Sequence, residues 1–229
     1  MESGYAEAMS PIGRLLVVIA HPDDESFGLG AIIDQLTARA VPAAVLCFTH
    51  GEASTLRARP GDLRRIRTQE LADAAEILGI KPTVLLDYPD GALSITPTAR
   101  LSAHVADLIG DFTPSHLLVF DSTGVTGHTD HVAATEAAVQ AAGDAGVPVL
   151  GWTLPQPIAD RLNTEFGTDF RGRVSGDIDF RLPVSRQRQH RAIAAHASQS
   201  RGNAVLQRRL TLLGDMEYLR WLSPPHRTE

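Results

Sequence analysis

Cysteine is almost missing from this chain: Cys47 stands alone among 229 residues, which excludes an intramolecular disulfide framework. It lies in the apolar run "AAVLCF", so a buried, inert thiol is expected rather than a nucleophile. Basic tracts are short as well. Against 27 Asp and Glu stand 21 Lys and Arg, for a formal net charge of −6, and the densest positive stretch is the scattered "RQRQHR" of residues 186–191. That balance argues against a nucleic-acid partner, and the tract reads as a solvated helix face. No run reaches the roughly 18–20 apolar residues of a membrane span, and "MESGYAEAMSPIGR" has no apolar signal core. No membrane partner is expected, and the cytoplasm is the expected compartment. A dinucleotide fingerprint is absent too. "GLGA" begins only at residue 28, too late after the first strand, and G-x-G-x-x-G does not occur.

What the chain does have is alternation. Apolar runs at residues 14–20, 41–49, 82–87, 115–120 and 147–152 read as strands, and 28–40, 62–79, 98–111 and 130–145 between them read as helices. Asp62 is placed to cap the second of these helices and Gly79 to end it. Continuous apolar strands separated by helices predict an α/β fold, a Rossmann-like doubly wound, mostly parallel sheet of about five to six strands with helices on both faces. "LPQPIAD" marks where the alternation stops. Beyond it "GDIDFRLPV" reads as an outlying strand, and 184–199 and 203–222 as helices. One domain over 1–229 is expected, its core at about 14–152 and a C-terminal helical cap at about 153–229.

Two polar clusters interrupt this pattern. "AHPDDE" leaves the first strand and crowds Asp23, Asp24 and Glu25 beside His21; "GHTDH" (127–131) follows the fourth strand. Three adjacent carboxylates repel one another unless a cation or a reaction offsets the cost. In the common order 3-2-1-4-5, strands 1 and 4 flank the crevice where doubly wound sheets bind ligands, so topology brings the clusters together. His21 and Asp24 are three apart, as are His128 and His131, which share a helical face. Two or three His with one or two Asp make a mixed nitrogen and oxygen site suited to Zn²⁺, with Fe²⁺ as the alternative. Spacing alone leaves Asp23 competing with Asp24, and His128 with His131. The bland alternative is that both segments are polar helix N-termini, Asp130 facing the dipole.

"AHPDDE" followed by "GHTDH" resembles the LmbE-like (PIG-L) metal-dependent N-deacetylases. "FTHGE", "RTQELADAAEILG", "LDYPDGAL" and "HASQ" fall in the order of that family's weaker motifs. The resemblance implies that His21, Asp24 and His131 are zinc ligands, that Asp23 is the general base, and that His128, oriented by Asp130, stabilises the oxyanion. It implies hydrolysis of the N-acetyl group of a small N-acetylglucosamine-type sugar, free or joined to inositol, malate or lipid. Members of this size are often bacterial. A deacylase tailoring a glycosylated natural product and a non-catalytic metal-binding module are the alternatives. Trimers and hexamers occur among such relatives, which leaves a homo-oligomer open.

Arg67 and Glu70 fall on the apolar side of the 62–79 helix, either paired with each other or turned toward the site; the resemblance puts Arg67 and Asp90 near the sugar hydroxyls. Glu25, His50 and His196 are candidates for supporting positions. His104, His116, His190 and His226 have no companions at ligand spacing and are expected at the surface. Some relatives carry Tyr where Thr126 stands, and threonine is too short to take over that phenol's reach. Specificity is expected in the loops 51–61, 88–97 and 154–175.

Overall fold

The computed structural model describes residues 11–56 and 62–225. The first half follows the predicted alternation: β1 (Leu15–Ile19), α1 (Asp24–Phe27), α2 (Gly30–Thr37), β2 (Ala43–Thr49), α3 (Leu63–Leu78), β3 (Ile80–Tyr88), α4 (Thr98–Phe112), β4 (His116–Phe120) and α5 (Thr129–Ala145). Asp62 caps α3 by accepting from Arg64 N at 3.1 Å, and Gly79 ends it with a left-handed φ of 73°. Then come β5 (Val149–Pro155), α6 (Gln156–Phe166), β6 (Gly172–Arg173), β7 (Phe180–Pro183), α7 (Gln187–Ala195), α8 (Ala197–Ser200), α9 (Ala204–Leu213) and β8 (Met216–Ser223).

The main sheet runs β3-β2-β1-β4-β5-β8-β7, with β6 paired to β5. β1, β2, β3, β4 and β5 are parallel. Strand order reverses between β1 and β4, as the sequence predicts. Alternate residues of β1 feed two cores. Leu15, Val17 and Ile19 pack toward Ile33, Leu71 and Leu78 of α2 and α3; Leu16, Val18 and Ala20 pack toward Val105, Ala134 and Ala138 of α4 and α5. Burial on both faces is why these strands are uniformly apolar. Cys47 lies in this interior, fully buried.

The C-terminal part departs from expectation. The sheet has eight strands rather than five or six, because the tail is not purely a helical cap. The segment expected as one helix over 203–222 divides at Gly214, whose φ of 54° and ψ of −133° lie outside helical space. After it "MEYLRWLS", rich in aromatic and alternating residues, forms β8 antiparallel to β5 and β7. The helical alternation also continues one step past "LPQPIAD", through α6. The surface expectation fails for His116, which is buried with its ring stacked 6.0 Å from Trp221 of β8. His104 is half-buried, its Nε2 3.1 Å from the Tyr88 hydroxyl, and His190 is exposed. His226 lies outside the described residues.

Candidate active site

At the carboxyl end of β1 the chain turns sharply into α1. Asp23 takes a φ of 112° there, a conformation L-residues rarely adopt and one that persists only when its surroundings enforce it. They do so from three sides. The Asp23 N–H donates to Glu25 Oε2 at 3.0 Å, Arg67 Nη2 sits 3.0 Å from Asp23 Oδ2, and Arg67 also donates to the carbonyls of Pro22 and Gly51. The Gly51 carbonyl approaches so closely that a Cβ there would lie 2.1 Å from Arg67 Nη1. Asp23 occupies the N-cap of α1 but makes no side-chain capping bond, so the helix-cap alternative fails for this carboxylate.

Asp24 is buried and committed. Its Oδ2 accepts from Ala20 N at 3.2 Å and His21 N at 2.9 Å, which leaves Oδ1 3.1 Å from His131 Nε2. His131 comes from the first turn of α5. Its Nδ1 donates to Gly124 O at 3.1 Å and lies 2.8 Å from Thr126 Oγ1, so the proton resides on Nδ1 and Nε2 presents a lone pair. His21 mirrors this. Its Nε2 faces carboxylates, Asp90 Oδ1 at 3.0 Å (off the hydrogen-bond direction) and Asp130 Oδ2 at 3.5 Å, which turns the Nδ1 lone pair inward.

The two lone pairs meet. His21 Nδ1 and His131 Nε2 are 3.2 Å apart, and Asp24 Oδ2 is 3.6 Å from His21 Nδ1. Ligand atoms at about 2.0–2.1 Å from a tetrahedral Zn²⁺ lie about 3.3 Å from one another. The donor set therefore fits a divalent ion in both spacing and chemistry. A second triple, His21, His128 and Asp130, also brings its donor atoms within 4.8 Å of one another. There, however, the Asp130 carboxylate is already held by Gly91 N at 2.8 Å and Leu93 N at 3.1 Å.

Charge adjusts to this crowding. Burial alone would lower the pKa of His21, but Asp130, Asp24 and Asp90 outweigh it and hold the imidazole well above its ordinary value. Burial would raise Asp24, yet His131 and His21 keep it well below the usual carboxylate range. A divalent ion bound at these atoms would take the place of the proton that the carboxylates favour on His21. Burial pushes Asp23 up to about 6, aided by Asp24 and opposed by Arg67. His128 is lowered by burial and by the neighbouring His21 and His131.

The predicted relation between His128 and Asp130 takes a different form. No carboxylate contact joins them among the described residues; instead the backbone N–H of Asp130 donates to His128 Nδ1 at 3.2 Å, with His128 as the N-cap of α5. The Arg67–Glu70 pair does not form either. Glu70 accepts from Ser198 N at 2.8 Å and Ser198 Oγ at 2.6 Å, tying α3 to the "HASQ" segment. His50 is turned away from the cavity lining, bonded to Thr68 at 2.8 Å and Asp87 at 2.9 Å.

His196 and Glu25 form a fully buried pair at 2.6 Å behind the Asp23 loop. Burial would lower His196, but Glu25 more than compensates and raises it. His196→Ala leaves the Glu25 carboxylate buried beside only Ser26 and the Asp23 N–H. Removing one partner of a buried pair destabilises by about 3–5 kcal/mol, to be read as a lower denaturant midpoint at unchanged slope.

His21, Asp23, Asp24, His128 and His131 line a cavity of about 470 Å³ together with Asp90, Arg67, Phe27, Phe120, Phe170 and Leu206. Two contributions to this cavity were not legible from residue types and spacing. Thr126, marked only by what it lacks, lies 2.8 Å from His131 Nδ1 and helps aim that ring, and α9 supplies Leu206 and Arg209 as wall. Of the expected specificity loops, residues 53–56, 90–91 and 170 reach the cavity, and 57–61 lie outside the described residues. No helix among the described residues is long and apolar enough to cross a membrane.

Known proteins resemble this chain in sequence and in fold. A probable N-acetyl-alpha-D-glucosaminyl L-malate deacetylase 2 of Bacillus cereus is 28% identical over 200 residues, 85% of this chain and 86% of that protein. The structure of N,N'-diacetylchitobiose deacetylase from Pyrococcus horikoshii superposes with a TM-score of 0.71 at 18% identity, covering 97% of this chain and 88% of that one. GalB, a 4-carboxy-2-hydroxymuconate hydratase from Pseudomonas putida, has a TM-score of 0.69 at 20% identity, covering 94% and 98%, so the fold by itself does not choose the reaction. The family described as PIG-L, GlcNAc-PI de-N-acetylase, matches residues 16–142. That stretch begins in β1, ends in α5 and carries both polar clusters, and the chain belongs to this family of deacetylases.

Proposed function

We propose that this protein is a zinc-dependent N-deacetylase that hydrolyses the acetamide of an N-acetylglucosamine-type sugar or glycoconjugate. The observation that supports it best is the facing pair of imidazole lone pairs closed by Asp24, with a further carboxylate, Asp23, held beside them and making no ligand contact. His21, Asp24 and His131 would hold the ion. When bound, Zn²⁺ supplies a Lewis acid for the amide carbonyl and lowers the pKa of water toward ~7.

The chain's own residues divide the remaining work. Arg67 fixes Oδ2 of Asp23, leaving Oδ1 to take a proton from the attacking water and later deliver it to the departing amine. His128 Nδ1 accepts the Asp130 N–H, so its proton sits on Nε2, positioned as donor to the oxygen on which charge develops; one such donor is worth about 3–4 kcal/mol. Asp90 and Arg67 border the cavity where sugar hydroxyls would lie. Asp23 also argues against a mere binding module, because a strained carboxylate anchored by Arg67 and making no ligand contact is more than ion binding requires.

Metal analysis of the purified protein, combined with free-amine release from a panel of N-acetylglucosamine derivatives, tests the reading. Zinc near one equivalent with amine release supports it; turnover that is unaffected by a strong chelator contradicts it. Thr126 offers a narrower check. Thr126→Val removes a partner of His131 Nδ1 while Gly124 O remains, so zinc affinity is expected to fall about tenfold, at the low end for outer-shell partners. Thr126→Ser should restore it, and chelator competition measures both.

A further inference from the structure

Between β4 and α5 runs a turn, 121–127, that supplies both partners of His131 Nδ1: Gly124 O at 3.1 Å and Thr126 Oγ1 at 2.8 Å. Three of its residues lie in the left-handed region, Gly124 at a φ of 73°, Gly127 at 79° and, between them, Val125 at 59°. A β-branched residue is strained there and stays only where its surroundings enforce it. The enforcement comes from 169–173, far along the chain. Arg171 N donates to Val125 O at 2.7 Å, and the Asp169 carbonyl oxygen lies 3.0 Å from where a Cβ on Gly127 would stand. Arg173 Nη2 donates to Asp121 Oδ1 at 2.7 Å, with Nε 3.2 Å from Oδ2. Asp121 is wholly buried, and its Oδ1 also accepts from Thr123 N at 3.0 Å and Thr123 Oγ1 at 2.9 Å. Neither Asp121 nor Arg173 lines the cavity.

Resting on the zinc deacetylase reading with His131 as a ligand, we infer that Asp121 and Arg173 are a positioning pair. By clamping the 121–127 turn they hold Gly124 O and Thr126 against His131 Nδ1, and so aim Nε2 at the ion. A guanidinium fork on a carboxylate fixes orientation as well as distance, and the partners of the outer nitrogen orient a ligating imidazole. Arg220 of β8 stands 3.4 Å from Asp121 Oδ2 through a single nitrogen, a longer contact without the fork, so it does not replace Arg173.

Zinc affinity of the full chain, measured by chelator competition, separates a clamp from a mere charge. Arg173→Gln removes a positive charge near a cation site, which on electrostatics alone tightens zinc; Asp121→Asn removes a negative one, which loosens it. The clamp instead loosens zinc in both, by about tenfold, the low end for outer partners of a ligating His. The double variant should lose no more than either single one, because the two residues act as a unit. Arg173→Lys keeps the charge without the fork, so it should lose less, and it carries the test should Arg173→Gln not fold. Arg171→Gln removes an exposed charge from the same segment and keeps the backbone N–H, so zinc affinity should stay as in the wild type. Zinc held as tightly or more tightly in Arg173→Gln overturns the inference, even with a lowered denaturant midpoint, and leaves the deacetylase reading intact where amine is still released. Losses that multiply in the double variant also overturn it. Zinc binding that depends on both residues, with no amine released from any N-acetylglucosamine derivative, leaves the pair standing and removes the deacetylase reading.

Discussion

Asp23→Asn is expected to keep its zinc and lose turnover by about 10²–10⁴-fold, the range a positioned general base contributes. The amide retains the size of the carboxylate and can still meet Arg67, which sits 3.0 Å from Oδ2, but it takes up no proton from water. Steady-state kinetics beside metal quantification on the same preparation separates the two properties. Loss of metal together with rate would make Asp23 a ligand and reverse its assignment with Asp24. The pH profile carries the same information. Burial against Asp24 raises the Asp23 pKa to about 6, and a bound dication pulls it back down. Wild-type kcat/KM should therefore fall only as pH drops to about 6 or below, where the base becomes protonated, and the residual rate of Asp23→Asn should lack that limb.

Asp24→Ala has the opposite signature. Its carboxylate presents Oδ1 to His131 Nε2 at 3.1 Å and pins the turn by accepting from Ala20 N and His21 N. Removing it deletes one donor and frees the loop that aims another, His21. Zinc affinity should drop by more than the roughly 10–100-fold that follows loss of an outer partner, and activity should disappear with the metal. Competition against a chelator of known affinity measures it. A variant that keeps stoichiometric zinc would show that His21, His128 and Asp130 hold the ion instead.

The parallel half of the sheet was legible because strands buried on both faces must be apolar throughout, as β1 and β4 are, and because the helices between them keep their own period and caps. Topology then made the site legible: two clusters about a hundred residues apart meet only if β1 and β4 are neighbours. β8 was hidden for a local reason. Gly214 sits inside a stretch whose apolar spacing still suits a helix, and only its backbone geometry reveals the break. That omission propagated to His116, buried by the Trp221 ring that β8 carries, and to Glu217 of β8, whose partners Arg186 and Trp152 come from two other segments. Thr126 was unreadable for another reason. Its contact depends on the turn at Gly124, where a φ of 73° brings the carbonyl back toward His131.

A crystal structure of the protein grown with zinc, with anomalous scattering collected at the zinc edge, bears most directly on the central claim. One peak is predicted, bonded to His21 Nδ1, His131 Nε2 and the Asp24 carboxylate, with the Asp23 carboxylate nearby and outside the coordination sphere. A peak coordinated by Asp23, or by His128 and Asp130 in place of His131 and Asp24, would contradict the account.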